Sequence, residues 1–193
     1  MMWIYVVLII FIAGWVMLGI YVFSEIKKTY DRGGVFTSKL LLIWYVMWGF
    51  HHLTLILSSL YGLWSIPINR TFALAGGLIL FVVGVVILPA GMIEFRSLRR
   101  STGQDISKLI TTGIYQWSRN PQFLGWSLML FGVSLIGRSG LALALTVVFV
   151  IILHLYTVRL EEPYLERLYG DEYCMYKSRA ARWIGIPQED IQN

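Results

Sequence analysis

Phe72-Ala-Leu-Ala-Gly-Gly-Leu-Ile-Leu-Phe-Val-Val-Gly-Val-Val-Ile-Leu-Pro-Ala-Gly-Met-Ile-Glu-Phe95 carries one ionisable side chain, Glu94, and that one lies at its end. About 20 consecutive apolar residues cross the hydrocarbon core of a bilayer as a helix, so this run reads as a spanning helix. Ala73, Gly77, Gly84 and Gly91 recur at intervals of four and seven, which stacks them on one helical face. Small residues on one face let a second helix approach closely in lipid. Pro89 removes a donor and frees the carbonyl of Val85, so a kink is expected near that end of the span.

Outward from this run the same reading repeats. Met2 to Phe23, Leu40 to Trp64, a short Pro121 to Ile136 and Leu141 to Leu160 are further apolar segments. Met2 to Phe23 has no basic leader and no small-residue cleavage motif, and reads as a span rather than a signal peptide. The whole chain agrees: of 193 residues 57% are hydrophobic and 14% charged, with a mean hydropathy of +0.66. A soluble domain is about half apolar and about a quarter charged. The expectation is an all-α integral membrane protein with five transmembrane helices, forming one domain over residues 1–193. Residues 1–95 supply three spans, and 96–193 supply spans four and five with a C-terminal tail. Pro163 is expected to disturb the last span just past Glu161 and Glu162. The tail from Tyr164 to Arg182 reads as short amphipathic helices broken at Gly170, with its aromatic residues as membrane-surface anchors.

Five spans alternate the connectors between two sides. One side collects fourteen of the Lys and Arg residues, including Lys27, Arg100, Lys108, Arg119 and Arg182, and the other holds only Arg70 and Arg138. The positive-inside rule then places the central connector and the tail in the cytoplasm and the N-terminus outside. Basic residues that cluster beside spans point to membrane topology, not to nucleic acid. A single cysteine, Cys174, excludes an internal disulfide and a multi-cysteine metal site.

No Asp, Glu, Lys or Arg lies mid-span, which argues against a pump or an ion channel. The ionisable groups gather at one set of helix ends: Glu94, Arg119, Arg159, Glu161 and Glu162. Between spans three and four runs Lys108-Leu-Ile-Thr-Thr-Gly-Ile-Tyr-Gln-Trp-Ser-Arg-Asn-Pro-Gln-Phe-Leu-Gly125, too long and too aromatic for a plain connector. Asn120 can cap the helix that Pro121 opens, and the positive end of that helix faces back at the connector. The stretch reads as the floor of a ligand site at a membrane surface. His51 and His52 are adjacent, about 100° apart on a helix, and cannot readily face one metal ion. Packing or hydrogen bonding is the plainer reading, so no metal is expected.

Thr111-Thr-Gly-Ile-Tyr-Gln-Trp-Ser-Arg-Asn-Pro-Gln-Phe-Leu-Gly125, followed by Glu161-Glu-Pro-Tyr-Leu and Tyr169-Gly-Asp-Glu-Tyr-Cys-Met-Tyr176, resembles the isoprenylcysteine carboxyl methyltransferase family. The related phospholipid N-methyltransferases share the pattern, and the small size looks most like a prokaryotic, archaeal member. The match covers about half of the chain. The resemblance implies S-adenosylmethionine as methyl donor, with S-adenosylhomocysteine as product, bound at the cytoplasmic face. Carried over by position, Lys108, Leu109, Ile110, Tyr115, Arg119, Asn120, Pro121, Gln122, Phe123 and Glu161 are the cofactor-binding set, with Tyr115 and Glu161 at its rim. Arg159 is the nearest candidate for meeting an acceptor carboxylate, and Glu162 is the second catalytic candidate. Where the family usually has His, this chain has Asn120, which keeps a donor but cannot titrate.

The implied acceptor is a lipidic or prenylated carboxylate embedded among membrane lipids. Such a carboxylate has an ordinary pKa of about 3.5 and needs no general base. An amine acceptor, as in a phospholipid N-methyltransferase, is protonated near neutral pH and needs one, for which Glu161, Glu162 and His154 are the nearby groups. A non-catalytic module binding haem through His51 or His154 is the reading from a different class.

Overall fold

The apolar runs dictate helices, because lipid offers backbone groups no partner outside the segment itself. In the computed structural model, which describes residues 2–188, the helices are α1 (Met2–Asp31), α2 (Ser38–Leu60), α3 (Arg70–Glu94), a single turn α4 (Leu98–Ser101), α5 (Pro121–Ile136), α6 (Gly140–Tyr156), α7 (Glu162–Tyr169) and α8 (Asp171–Arg179). The protein is all-α: the described residues contain no strand, only one isolated bridge between Ser65 and Ser139. Local chemistry sets several starts. Thr37 accepts from Leu40 N–H, Asn69 from Thr71 N–H and Ser139 from Ala142 N–H, each satisfying a donor the first turn leaves over.

Four helices among the described residues are long and apolar enough to cross a membrane: α1, α2, α3 and the continuous stretch Gly140–Tyr169. The fourth apolar segment, expected to be short, is α5, with 16 residues before the Gly137 cap. At about 1.5 Å per residue it reaches roughly 24 Å, less than the ~30 Å hydrocarbon thickness. Pro163 does not break the last span. The chain widens into a π-helical turn, Thr157–Glu161, and continues as α7. A proline has no N–H for the carbonyl of Arg159, and its ring crowds that carbonyl; a wider turn relieves both. The break falls at Gly170, where φ is 55° and ψ −130°, backbone that favours glycine.

The small-residue face of α3 finds its partner in α5. Ala73, Gly77, Gly84 and Gly91 are the buried residues of α3, while Ile79, Val82 and Val86 on other faces are more than half exposed. The two helices run antiparallel with backbones nearly touching. A Cβ on Gly84 would lie 2.5 Å from the Gly125 carbonyl oxygen, and one on Gly132 would lie 2.6 Å from that of Gly77. Overpacking a tight contact costs about 1–3 kcal/mol or more. Gly84→Val is therefore expected to lower the thermal transition of the detergent-solubilised protein. Gly76→Val, with nothing within 4 Å of its position, is expected to leave the transition unchanged.

At the centre, Trp44, Met47, Trp48 and Leu55 of α2 pack between Trp15, Val22 and Ile26 of α1 and Phe149, Leu153 and Tyr156 of α6. His51 donates through Nε2 to the Leu145 carbonyl at 3.1 Å. His52 bonds the Trp48 carbonyl through Nδ1 and accepts the Trp126 indole N–H at Nε2, 2.7 Å away. Both rings thus serve helix packing. At one end of the bundle, Ile66 N–H bonds the Arg138 carbonyl and Gly140 N–H that of Trp64. At the other end, Phe36 N–H bonds Gly103, Tyr164 bonds Gly34 and Tyr169 bonds Ile106. The α1–α2 loop, the connector before α5 and the tail therefore meet at one end.

Candidate functional site

The connector from Phe95 to Asn120 carries little regular structure, and side chains hold it in shape. Ser97 caps α4, and Arg100 pairs with Asp105 at 3.2 Å. The Ser107 N–H on Asp105 holds that carboxyl below its usual range. Gly113, at φ 58°, opens a 3-10 turn, Gly113–Gln116, and a Cβ there would overlap the Glu94 carboxylate. Glu94 also accepts from the Thr112 hydroxyl at 3.3 Å. Only glycine suits that backbone beside that carboxylate.

This turn points Tyr115 inward, not to a rim. Tyr115 is buried, its hydroxyl accepts from the Gln122 amide at 3.1 Å, and its carbonyl accepts from the Tyr176 hydroxyl at 2.8 Å. Tyr173 and Tyr176 of α8 are buried beside it. The tail tyrosines expected at the membrane surface thus form the inner wall of the site. Burial pushes the hydroxyls of Tyr115, Tyr173 and Tyr176 up beyond the ordinary tyrosine range, so all three stay neutral.

A cavity of about 380 Å³ opens at this end of the bundle. It is lined by Lys108, Leu109, Ile110, Tyr115, Arg119, Asn120, Gln122, Phe123, Glu161 and Glu162, so distant segments bring most of the candidate residues together. The N-terminal spans contribute walls that hydropathy alone did not single out: Leu41, Trp44 and Tyr45 from α2, and Leu88 and Met92 from α3. The cavity is thus polar where the connector and tail meet and apolar between α2 and α3. Two candidates lie elsewhere. Pro121 packs against α3, 3.1 Å from where a Cβ on Gly91 would sit. Arg159 faces a second cavity, between α1 and α6.

The charges divide into two kinds. Glu162, buried, is fully engaged: Arg119 Nη2 donates to its Oε1 at 2.9 Å, and Arg182 donates to Oε1 at 2.8 Å and to Oε2 at 3.0 Å. Lys177 stands 3.9 Å from Oε2. Glu162 therefore ties the connector and the tail to the last span. In the sequence Arg182 counted only as one of the basic residues on this side; the pairing with Glu162 gives it a specific role. Arg119 and Glu161 differ. The Arg119 side chain is 6% exposed, and its Nε and Nη1 have no partner; Glu161 Oε2 is likewise buried and unpaired. Unmet buried donors and acceptors cost about 1–3 kcal/mol each, more when charged. Here they lie on two residues lining one cavity, a guanidinium and a carboxyl group, each with hydrogen-bonding capacity to spare.

Asn120 precedes α5 but makes no side-chain cap. Its amide donates instead to the Arg182 carbonyl at 3.1 Å, because the returning tail offers an acceptor there. The tail lies along the connector through Arg119 N–H to Ala181 and Gly185 N–H to Trp117. Trp183 donates to His154 Nδ1 at 3.3 Å.

A family model described as phospholipid methyltransferase matches residues 72–172, just over half of the chain. The protein-S-isoprenylcysteine O-methyltransferase of Saccharomyces cerevisiae is 35% identical over 82 residues, covering 41% of this chain and 32% of that protein. The mouse protein of the same name is 30% identical over 126 residues, covering 61% of this chain and 42% of its own length. An uncharacterized protein of Haemophilus influenzae is 36% identical over 61 residues, covering 32% of this chain and 86% of that protein. The chain spans well under half the length of the named methyltransferases it matches. No solved structure matches it.

Proposed function

This chain belongs to the phospholipid methyltransferase family, and we propose from that premise that it transfers a methyl group from S-adenosylmethionine to an acceptor held in the membrane. We take the acceptor to be the carboxylate of a prenylated cysteine or a similar lipidic carboxylate, as the names of the relatives suggest. The observation that carries the reading is the pairing of unpartnered buried groups on one cavity: Arg119 with free Nε and Nη1, and Glu161 with free Oε2.

The methionine end of the donor is an α-carboxylate beside an α-ammonium. Arg119 offers its unpartnered N–H groups to the first and Glu161 an acceptor to the second. Leu109, Ile110, Tyr115, Gln122 and Phe123 supply the remaining walls, and Lys108 stands exposed at the mouth. When bound, the donor supplies a methyl group on a positively charged sulfur, which a carboxylate oxygen attacks as the thioether leaves. The chain's own contribution is alignment and exclusion of water, and positioning alone can supply roughly 7–11 kcal/mol. Buried aromatic rings keep the site dry, which favours a step that neutralises two opposite charges. The apolar gap lined by Leu41, Trp44, Leu88 and Met92 suits a lipid tail reaching in from the bilayer. The excess of basic residues at this end supports a cytoplasmic site. We treat residues 1–193 as one membrane domain whose halves share the cavity.

The family description favours one second reading, a phospholipid amine as acceptor. It requires a base, and Glu161 is the carboxylate with an unpartnered oxygen, whereas Glu162 is held by Arg119 and Arg182. Two measurements on the full chain in lipid nanodiscs separate the readings. Transfer to a prenylcysteine analogue is expected to give a base-labile methyl ester at a rate nearly flat from about pH 6 to 8, because an acid of pKa about 3.5 is ionised throughout. A base-stable N-methyl product from phosphatidylethanolamine, formed at a rate rising with pH, replaces the carboxylate reading with the amine one.

A further inference from the structure

Away from the site just described, a second cavity of about 410 Å³ lies in the groove between α1 and α6. We infer that this groove binds one anionic phospholipid, with an acyl chain along the groove and the phosphate at Arg159. Val16, Gly19 and Ile20 form one wall, and Ile152 and Leu155 the other. Gly19 opens the space: a Cβ there would meet only the Met47 sulfur, at 3.8 Å. Arg159 is the one charged residue lining the groove.

Charge complementarity selects the occupant. Lys27 and Lys28, the neighbouring cations at this end of α1, are each paired, with Asp31 at 3.2 Å and Glu25 at 2.7 Å. Arg159 is exposed and has no hydrogen-bond or ion-pair partner among the described residues. From Gly140 to Arg159 the helix rises roughly 29 Å at about 1.5 Å per residue, close to the hydrocarbon thickness. The guanidinium therefore stands at the level of one leaflet's phosphates, directly beyond an apolar slot. A guanidinium binds phosphate through paired N–H groups. The π-helical turn makes the arrangement local: Arg159 faces the groove while Glu161, in the same turn, lines the other cavity.

The test uses the full chain in nanodiscs of phosphatidylcholine with a minor share of phosphatidylglycerol, followed by detergent extraction and native mass spectrometry. About one phosphatidylglycerol per chain is expected to survive extraction in preference to phosphatidylcholine. Arg159→Gln removes the charge and Gly19→Leu fills the slot; each is expected to lower retention about tenfold, the scale of one lost charge-assisted contact. Arg159→Lys is expected to fall between. Both positions are open, so thermal transitions are expected to match the parent. Retention unchanged in Arg159→Gln or in Gly19→Leu, or equal retention of phosphatidylcholine, overturns the inference. So does displacement of the lipid by a prenylcysteine analogue, which would make the groove the acceptor's. The readout is lipid mass, so it stands or falls separately from methyl transfer.

Discussion

Glu162→Gln is expected to be the most destabilising conservative change in the protein. The carboxylate receives Arg119 and both nitrogens of the Arg182 fork, with side chains only 5% and 6% exposed for the Glu162–Arg119 pair. Removing one partner of a buried ion pair costs about 3–5 kcal/mol, because the other charge is left in low dielectric. Gln can still accept one bond, but its amide nitrogen meets a guanidinium donor to donor. A fall in the thermal transition of roughly 10 °C is expected for a chain of this size. Tail release should accompany it, read as faster proteolysis after Arg179 or Arg182. Activity should fall with the folded fraction and keep its pH profile. A stable Glu162→Gln protein with an altered pH profile would instead make Glu162 a proton acceptor.

Glu161→Gln is expected to behave in the opposite way. Its Oε2 is buried without a partner, and an unmet buried acceptor weakens the fold. Exchange for a neutral amide is therefore expected to leave the thermal transition unchanged or raised. Binding should suffer where folding does not. A charge-assisted hydrogen bond is worth about 1.5–3 kcal/mol, so S-adenosylhomocysteine affinity by calorimetry should fall roughly tenfold to a hundredfold. Arg119→Lys should weaken the same affinity, since a compact ammonium lacks the spread N–H groups by which a guanidinium holds Glu162 and still has donors left over. Unchanged affinity in both variants removes the two residues from the donor site.

Neighbouring carboxylates with opposite fates mark the boundary between the two levels of information. Glu161-Glu162 at the end of an apolar run is visible in sequence as charge near a membrane surface, and both residues could be named as candidates. Adjacent side chains diverge by about 100° on a helix, so one of them must face away from any given neighbour. Which one is decided by Arg119, 43 positions earlier, and Arg182, 20 positions later. Those partners converge only when the connector and the tail pack on the same helix end. The π-helical turn that ends at Glu161 adds a rotation that residue spacing does not carry.

What the sequence by itself determined was the part governed by local rules. Hydropathy over about 20 residues selects helices in a membrane, because lipid leaves backbone groups no other partner. The spacing of Ala73, Gly77, Gly84 and Gly91 determined that α3 would be approached closely, and glycine at 170 determined where the tail would turn. Only the tertiary structure decided that α5 is the approaching helix, with Gly125 and Gly132 completing the contact. It alone turned Tyr115, Tyr173 and Tyr176 inward and sent Arg159 to a separate groove. The physical reason is range. Helix formation and close-approach faces are set within a few turns of chain, whereas the direction of a side chain at a helix end depends on which distant segment packs there and which charges it brings.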